Sequence, residues 1–187
     1  MAVIRETIER YANQTVEDLQ LLPEGTFAEL IDGEIVLSPA PTRLHQHISR
    51  ILSFELESHI RSRGGGVMYF APIDVHLSRE YVFQPDIIYI SDERADILGD
   101  QVYGAPDLVI EILSPSTGYY DLTKKRDAYE RFGVKEYWIV DPERKRVEIL
   151  VLEGESYRTD QVISSTGTAN SVLLDGLEVD VAPLFAT

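Results

Sequence analysis

The stretch DLVIEILSPS, residues 107–116, contains an apolar run that is interrupted by one carboxylate, Glu111. Leucine, valine and isoleucine lie on both sides of it, and such a run predicts a buried strand. An unpaired carboxylate is very costly to bury. Glu111 is therefore expected to be paired, protonated or bound to a metal ion.

The composition limits the class of protein. With 187 residues, of which 44% are hydrophobic and 26% are charged, the chain suits one globular domain over residues 1–187. The absence of cysteine excludes disulfides, cysteine zinc sites and thiol nucleophiles. There is no apolar run long enough to span a bilayer, and residues 1–20 lack the pattern of a secretory signal. We therefore expect a cytoplasmic protein.

The net charge of −15, from 17 basic and 32 acidic residues, argues against a protein that coats DNA passively. An enzyme that acts on DNA can still be acidic overall if its positive charge is local. The alternative explanation of the acidity is solubility.

The order of predicted elements indicates an α/β domain with a mixed (α+β) sheet. Thr15 and Asp18 form a capping box that opens a short helix, and Asp32-Gly33 between two apolar runs predicts a β-hairpin. Apolar spacing predicts helices over 42–63 and 121–133, strands over 67–77, 81–90, 107–113 and 136–142, and a second hairpin with its turn at 142–144. We expect the sheet to be covered by the two longer helices.

Three charged residues occupy positions where the pattern expects apolar ones. Glu111 is the first, and Asp86 is the second, because it directly precedes an apolar run. Pro85 cannot donate a ladder hydrogen bond, which predicts a bulge or an edge beside Asp86. Lys125 is the third, since its spacing to Tyr129 places it on the apolar face of the second long helix.

Two interpretations of these charges remain open. The first is a buried ionic network, because buried charges are usually paired. The second is a site for magnesium or manganese, which bind carboxylate oxygens and often take only one or two carboxylates plus water. In the second interpretation, a nearby lysine positions water or neutralises developing charge.

The blocks QPDIIYI, APDLVIEILSPST and DLTKKRDAYERFGVKEYWIVDP together resemble the Uma2 family of the PD-(D/E)XK, or restriction-endonuclease-like, superfamily. The resemblance extends from about residue 15 into the last strands. It implies a restriction-endonuclease-like core over about residues 25–150, in which a mixed β-sheet is flanked by two main helices, with extra N-terminal and C-terminal strands.

The resemblance also implies roles for individual residues. Asp86 matches the Asp of the Pro-Asp motif, and Glu111 matches the acidic residue of the (D/E)-x-K strand, so both are expected metal ligands. Leu113 occupies the usual lysine position of that strand. Lys125 matches a lysine that serves instead from the next helix in this family.

Two further residues are expected catalytic candidates from the same resemblance. Glu34 resembles the acidic residue upstream of the Pro-Asp strand, although hairpin turns also carry acids for ordinary reasons. His45 matches a histidine near the start of the first long helix, as a general base, a phosphate contact or a structural histidine. His47 belongs to a different side of the helix. Ser114, Ser116, Tyr119 and Tyr120 are weaker candidates.

The expected function is a Mg²⁺- or Mn²⁺-dependent endonuclease that hydrolyses phosphodiester bonds in nucleic acid, with DNA as the expected substrate and RNA not distinguished from it. The alternative is a nuclease-like fold that works as a binding or assembly module without turnover. We also expect a homodimer, formed through the strand at 136–142 and the hairpin after it.

Overall fold

The computed structural model describes residues 14–114 and 121–186, and it contains two large β-sheets where the sequence predicts one. The helices are α1 (Val16–Leu19), α2 (Arg43–Arg63) and α3 (Arg126–Phe132), with a π-helical turn at Asp121–Lys125 and 3₁₀ helices at Asp92–Ile97 and Ala182–Phe185. The strands are β1 (Ala28–Ile31), β2 (Glu34–Leu37), β3 (Gly66–Phe70), β4 (Val75–Ser78), β5 (Tyr81–Phe83), β6 (Ile87–Ser91), β7 (Val102–Tyr103), β8 (Leu108–Ile112), β9 (Glu136–Asp141), β10 (Arg146–Glu153), β11 (Ser156–Ser164), β12 (Thr168–Asn170) and β13 (Glu178–Asp180). The mixed α+β class is confirmed.

The larger sheet has the strand order β11-β10-β9-β8-β6-β3. Its β8–β9 pair is parallel and its other pairs are antiparallel. Parallel strands need a crossover connection, and the segment that ends in α3 provides it. The second sheet has the order β2-β1-β5-β4-β7. The predicted first hairpin is confirmed as β1–β2, and both turn residues, Asp32 (φ 55°) and Gly33 (φ 69°), adopt the left-handed backbone of a tight hairpin turn.

The chain crosses between the two sheets at residues 71–74 and again at 84–86. The prediction of continuous strands over 67–77 and 81–90 was therefore wrong: the first divides into β3 and β4, and the second into β5 and β6. Each break contains a proline, Pro72 or Pro85, which has no N–H for a ladder hydrogen bond. The predicted irregularity beside Asp86 is this second break.

The two faces of the larger sheet are covered differently. On one face α2 buries Ile48, Leu52, Leu56 and Ile60 against the strands, together with the C-terminal segment. This confirms the predicted apolar face of the first long helix. The other face is covered by α3 and by the second sheet. The described part of the chain has no helix that is both long and apolar enough to cross a membrane.

Asp107 joins three strand ends and is fully buried. Its carboxylate accepts a hydrogen bond from the backbone N–H of Ser91 (2.8 Å) and lies 2.7 Å from the Lys135 ammonium. Burial by itself would raise the pKa of Asp107, but the Lys135 ammonium and the Ser91 donors outweigh it, so the pKa is lowered. The ionised carboxylate therefore stabilises the fold at neutral pH.

We expect Asp107→Asn to lower the free energy of unfolding by about 1–3 kcal/mol at pH 7. Because the pKa is lowered in the folded state, this stabilisation is present above the unfolded pKa of about 3.9 and is lost as pH falls through the folded pKa. Urea denaturation from pH 7 down to about pH 2, which passes below the unfolded pKa, measures it, with the exposed Asp175→Asn as control. A difference between wild type and Asp107→Asn that grows towards acid would contradict this assignment.

Candidate active site

Glu111 lies in β8 and is 3% exposed, on the sheet face that packs against the second sheet and α3. Its Oε1 lies 3.0 Å from the Lys125 Nζ and accepts a hydrogen bond of 2.7 Å from the Tyr129 hydroxyl. The carboxylate that interrupts the apolar run is thus paired in this structure.

Lys125 is the last residue of the π-helical turn before α3 and is 3% exposed. The spacing of apolar residues predicts that the Lys125 side chain faces the sheet, and its contact with Glu111 confirms this orientation. The Lys125 Nζ also lies 5.7 Å from the centre of the Phe83 ring, so an aromatic face covers part of the ammonium. π-Helical turns are rare and frequently mark functional sites.

Glu29, in β1, is the functional candidate that the sequence analysis missed. It is 3% exposed, and its Oε1 lies 2.9 Å from the Lys125 Nζ and accepts a hydrogen bond of 2.7 Å from the backbone N–H of Gln84. The signal that identified Glu111 applies here too, because Glu29 is a single carboxylate inside the short apolar run FAELI.

In the cluster of Glu29, Glu111, Lys125 and Tyr129, the Lys125 ammonium contacts both buried carboxylates. Burial, first of all, and the nearby Glu111 charge raise the pKa of Tyr129 far above its usual value. The tyrosine therefore stays neutral and acts as a hydrogen-bond donor.

Asp86 lies in the break between β5 and β6 and is held from two sides. Its Oδ2 accepts a hydrogen bond of 2.7 Å from the backbone N–H of Ile112, and its Oδ1 lies 3.2 Å from the His45 Nε2. Ile87 pairs with Ile110 in the antiparallel register. One position further along, Asp86 therefore lies opposite Glu111. The two expected metal ligands therefore lie on neighbouring chain segments.

His45 and Asp86 are mostly buried, with side-chain exposures of 14% and 15%. His45 lies in the first turn of α2, which Thr42 caps by accepting a hydrogen bond from the His45 N–H. His47 instead contacts the carbonyl oxygen of Pro183 at 3.0 Å. The prediction that these two histidines point to different sides of the helix is confirmed.

Glu34 is less buried than the residues of this cluster. It begins β2, its side chain is 28% exposed, and its Oε2 lies 3.5 Å from the Lys124 Nζ. Leu113 packs against the core between the two sheets, and its N–H donates to the Val140 carbonyl oxygen. The ammonium that reaches Glu111 thus comes from the helix side. Ser116, Tyr119 and Tyr120 lie outside the described residues.

The donor chemistry fits a hard divalent cation. Asp86 and Glu111 offer carboxylate oxygens on adjacent segments, and magnesium commonly takes one or two carboxylates with water as the remaining ligands. Within residues 14–114 and 121–186, the structure has no group of three or more His, Cys, Asp and Glu side chains placed to hold an ion. A metal here would therefore rely on the two carboxylates and water.

A comparison of the sequence with protein families matches residues 14–182 to Uma2, described as "Putative restriction endonuclease". The chain belongs to the Uma2 family. No curated protein matches the sequence. The match covers every described residue of the candidate site, from Glu29 to Tyr129. The resemblance seen in the sequence motifs is therefore confirmed.

A solved structure shares the fold. It is described as a putative nuclease belonging to DUF820 from Anabaena variabilis ATCC 29413. It is 21% identical, with a TM-score of 0.77, and the alignment covers 91% of this chain and 97% of that chain. The restriction-endonuclease-like fold expected for this Uma2 chain is therefore confirmed.

We expect Lys125→Met to lower the free energy of unfolding by about 3–5 kcal/mol, because it leaves two buried carboxylates without their shared counter-charge. Chemical denaturation measures the loss. Adding Glu29→Gln to Lys125→Met should recover part of it by removing one of the two charges.

Lys124→Met is the matched control, since the Lys124 side chain is 31% exposed and its partners are at the surface. Its effect should stay below about 1 kcal/mol. Equal losses for the two lysine variants would show that the buried ammonium does not balance Glu29 and Glu111.

Proposed function

We propose that this Uma2 protein is a metal-dependent endonuclease that hydrolyses phosphodiester bonds in nucleic acid, with DNA as its substrate. The observation that carries the proposal is that Asp86 accepts a hydrogen bond from the N–H of Ile112, the residue after Glu111, while Glu111 contacts the buried Lys125 ammonium. Family membership supports nuclease chemistry, and the donor set supports a magnesium or manganese ion.

Asp86 and Glu111 would hold the ion. A bound magnesium or manganese ion would activate the attacking water and offset the negative charge that develops on the phosphate.

The other residues orient these ligands. Tyr129 donates to Glu111 and Lys125 bridges Glu111 to Glu29, which fixes the direction of the Glu111 carboxylate. The Ile112 N–H and His45 fix the Asp86 carboxylate in the same way. His45 is also placed to hold a proton at its Nε2, beside Asp86, for transfer in the reaction. Glu34 has no part in this proposal.

We expect the protein to cleave plasmid or single-stranded DNA in the presence of Mn²⁺ or Mg²⁺, and chelation with EDTA to abolish the cleavage. Glu111→Gln should lower the rate by about 100-fold or more, because an amide is a poor ligand for a hard cation. Gel assays of timed digests measure both effects.

Glu34→Gln is the matched control and should cleave at the wild-type rate, since the Glu34 side chain is 28% exposed and contacts Lys124, which is not a proposed site residue. Equal cleavage by wild type and Glu111→Gln would point to a contaminating nuclease and refute the proposed site.

The second candidate function is a binding or assembly module without turnover. It is favoured by Leu113 at the usual lysine position and by the pairing of Glu111 with Lys125 and Tyr129. Calorimetric titration with Mg²⁺ and Mn²⁺ separates the two: an absence of heat from wild type favours the module, and heat that Glu111→Gln removes favours the nuclease.

We also propose a homodimer, but through a different surface from the one that the sequence suggested. β9 lies between β8 and β10 inside the larger sheet, so it has no open edge for a second chain. The outer strands of that sheet are β11 and β3. The location in the cytoplasm stays a prediction.

We expect light scattering during gel filtration to give twice the mass of the 187-residue chain. A proline at Val162, an exposed position in β11, should reduce the dimer fraction if β11 is the pairing edge, because proline cannot donate a ladder hydrogen bond. The same substitution in β3, at Val67, is the matched control that distinguishes the two edges. A monomer at all concentrations would contradict the proposal.

A further inference from the structure

Phe70 is an aromatic residue at the end of β3, and the chemistry proposed above gives it no role. It is 61% exposed, although it belongs to a strand of the larger sheet. A single exposed apolar side chain is common on protein surfaces and needs no function of its own. What distinguishes Phe70 is its position next to the candidate active site.

Phe70 lies directly beside Asp86 in the sheet. In the antiparallel register it pairs with Ile87, the residue after Asp86. The next residue after Phe70, Ala71, donates its N–H to the Asp86 carbonyl oxygen at 3.0 Å. Paired Cα atoms of antiparallel strands are about 4.5–5.5 Å apart. The Phe70 side chain therefore starts about one strand spacing from an expected metal ligand.

The register also determines the face of the sheet on which the Phe70 ring lies. Side chains that pair across antiparallel strands share a face, and Ile87 belongs to the core that α2 covers. Met68, two residues before Phe70, packs against the same core. From that side, the His45 Nε2 of α2 lies 3.2 Å from the Asp86 Oδ1. Phe70 and His45 thus lie on the same face of the sheet, next to Asp86.

The charge of the surface around Phe70 is compatible with a polyanion. The chain has a net charge of −15, so much of its surface repels phosphate. In contrast, β3 contains no charged residue. The first turn of α2 has no acidic residue, and its first residue, Arg43, is exposed. A nucleic acid strand that reaches Asp86 past Phe70 therefore meets little repulsion from these two elements.

We propose that the Phe70 ring stacks on one unpaired nucleobase of the substrate, next to the phosphate on which Asp86 and Glu111 act. An aromatic side chain stacks on any base, because every base has a π-face, so the contact holds the strand without reading its sequence. Phe70 is a positioning residue, since it holds the strand and does not contact the reacting atoms.

This inference rests on the proposed nuclease function, and it identifies the substrate class as nucleic acid with an unpaired base beside the cleaved bond. A base in a duplex must first be unstacked, which is least costly in a strand that is already unpaired. The protein therefore binds single-stranded DNA more tightly than fully paired DNA.

The first test measures KM and kcat for single-stranded DNA in Mn²⁺ with three variants of Phe70. We expect Phe70→Ala to raise KM about tenfold and to leave kcat within about twofold of wild type, because one stacked base contributes to binding and not to the chemical step. Phe70→Tyr, which keeps the ring, should stay within about threefold of the wild-type KM. Phe70→Leu keeps apolar bulk without a π-face and should resemble Phe70→Ala. A wild-type KM in Phe70→Ala or in Phe70→Leu would overturn the proposal.

Phe54→Ala is the matched control for the loss of an exposed aromatic ring. Phe54 is 67% exposed on α2 and lies two residues from the buried Leu52 and Leu56, so it points away from the sheet. This variant should keep the wild-type KM. Light scattering of Phe70→Ala should give the wild-type mass. A lower mass would assign the ring to a contact between two copies of the chain and would also overturn the proposal.

The second test removes the base instead of the ring. We expect wild type in EDTA to bind an oligonucleotide of thymidines about tenfold more tightly than a stable abasic oligonucleotide of the same length, and Phe70→Ala to lose most of this preference. Fluorescence anisotropy measures both affinities. The absence of a preference in wild type, or the same preference in Phe70→Ala, would refute the stacking site.

The two proposals fail in different ways. If wild type prefers the thymidine oligonucleotide through Phe70 but cleaves no DNA with Mn²⁺, the nuclease function fails while the stacking site stands. If DNA is cleaved, and Glu111→Gln abolishes the cleavage, but Phe70→Ala keeps the wild-type KM, the stacking site fails while the nuclease stands.

Discussion

The Lys125 ammonium, held between Glu29 and Glu111, is the contact on which the arrangement of the site depends. Glu29 belongs to the second sheet, Glu111 to the larger sheet, and Lys125 to the helical segment that crosses between β8 and β9. One cation thus joins three layers at a point that is closed to solvent. A buried ion pair is weak evidence for stability on its own, because desolvation offsets most of the attraction. Its function here is to fix geometry, since few other arrangements satisfy both carboxylates.

The break at residues 84–86 is the second constraint, and it acts through the backbone. Gln84 donates its N–H to Glu29, whereas the Asp86 carboxylate accepts from the N–H of Ile112. Two neighbouring residues therefore bind the two sides of the site, one in each sheet. Pro85 lies between them and cannot donate a ladder hydrogen bond, which keeps the chain from continuing β5 into β6.

Much of the fold was predictable from local signals. The Asp32-Gly33 hairpin, the length of α2 and the buried β8 strand all follow from periodicity and turn residues. The second sheet could not be predicted from these signals. Periodicity indicates which side chains are buried, but it does not indicate which sheet buries them. Residues 67–77 alternate in the same way whether they form one strand or two strands in different sheets. The prolines gave the only local sign of the crossings, and that sign was interpreted for Pro85 alone.

The site was predictable where a charge interrupts an apolar pattern. Glu111, Asp86 and Lys125 were predicted in this way; Lys125 contacts Glu111, and Asp86 accepts a hydrogen bond from the N–H of Ile112, the residue after Glu111. Glu29 carries the same signal but was not predicted, whereas Glu34, at the start of β2, was predicted from the family resemblance. Burial separates the two: Glu29 is 3% exposed, whereas the Glu34 side chain is 28% exposed and faces Lys124. The sequence does not show whether a charged residue in a short strand next to a hairpin turn is buried or exposed. A shift of the strand register by one residue exchanges the buried and the exposed face.

The presence of Leu113 at the position where a strand lysine is expected has a physical explanation in this geometry. Leu113 fills the core between the sheets, where a lysine on the strand would have to leave that packing to reach the Glu111 carboxylate. The π-helical turn supplies the ammonium from the opposite side, and it approaches Glu111 together with the Tyr129 hydroxyl from the same helical segment. The cation then contacts Glu29 as well, which a strand lysine on the same sheet as Glu111 is not positioned to do. Moving the positive charge from strand to helix therefore links the active site to the second sheet, through Glu29 and the Gln84 N–H that donates to it.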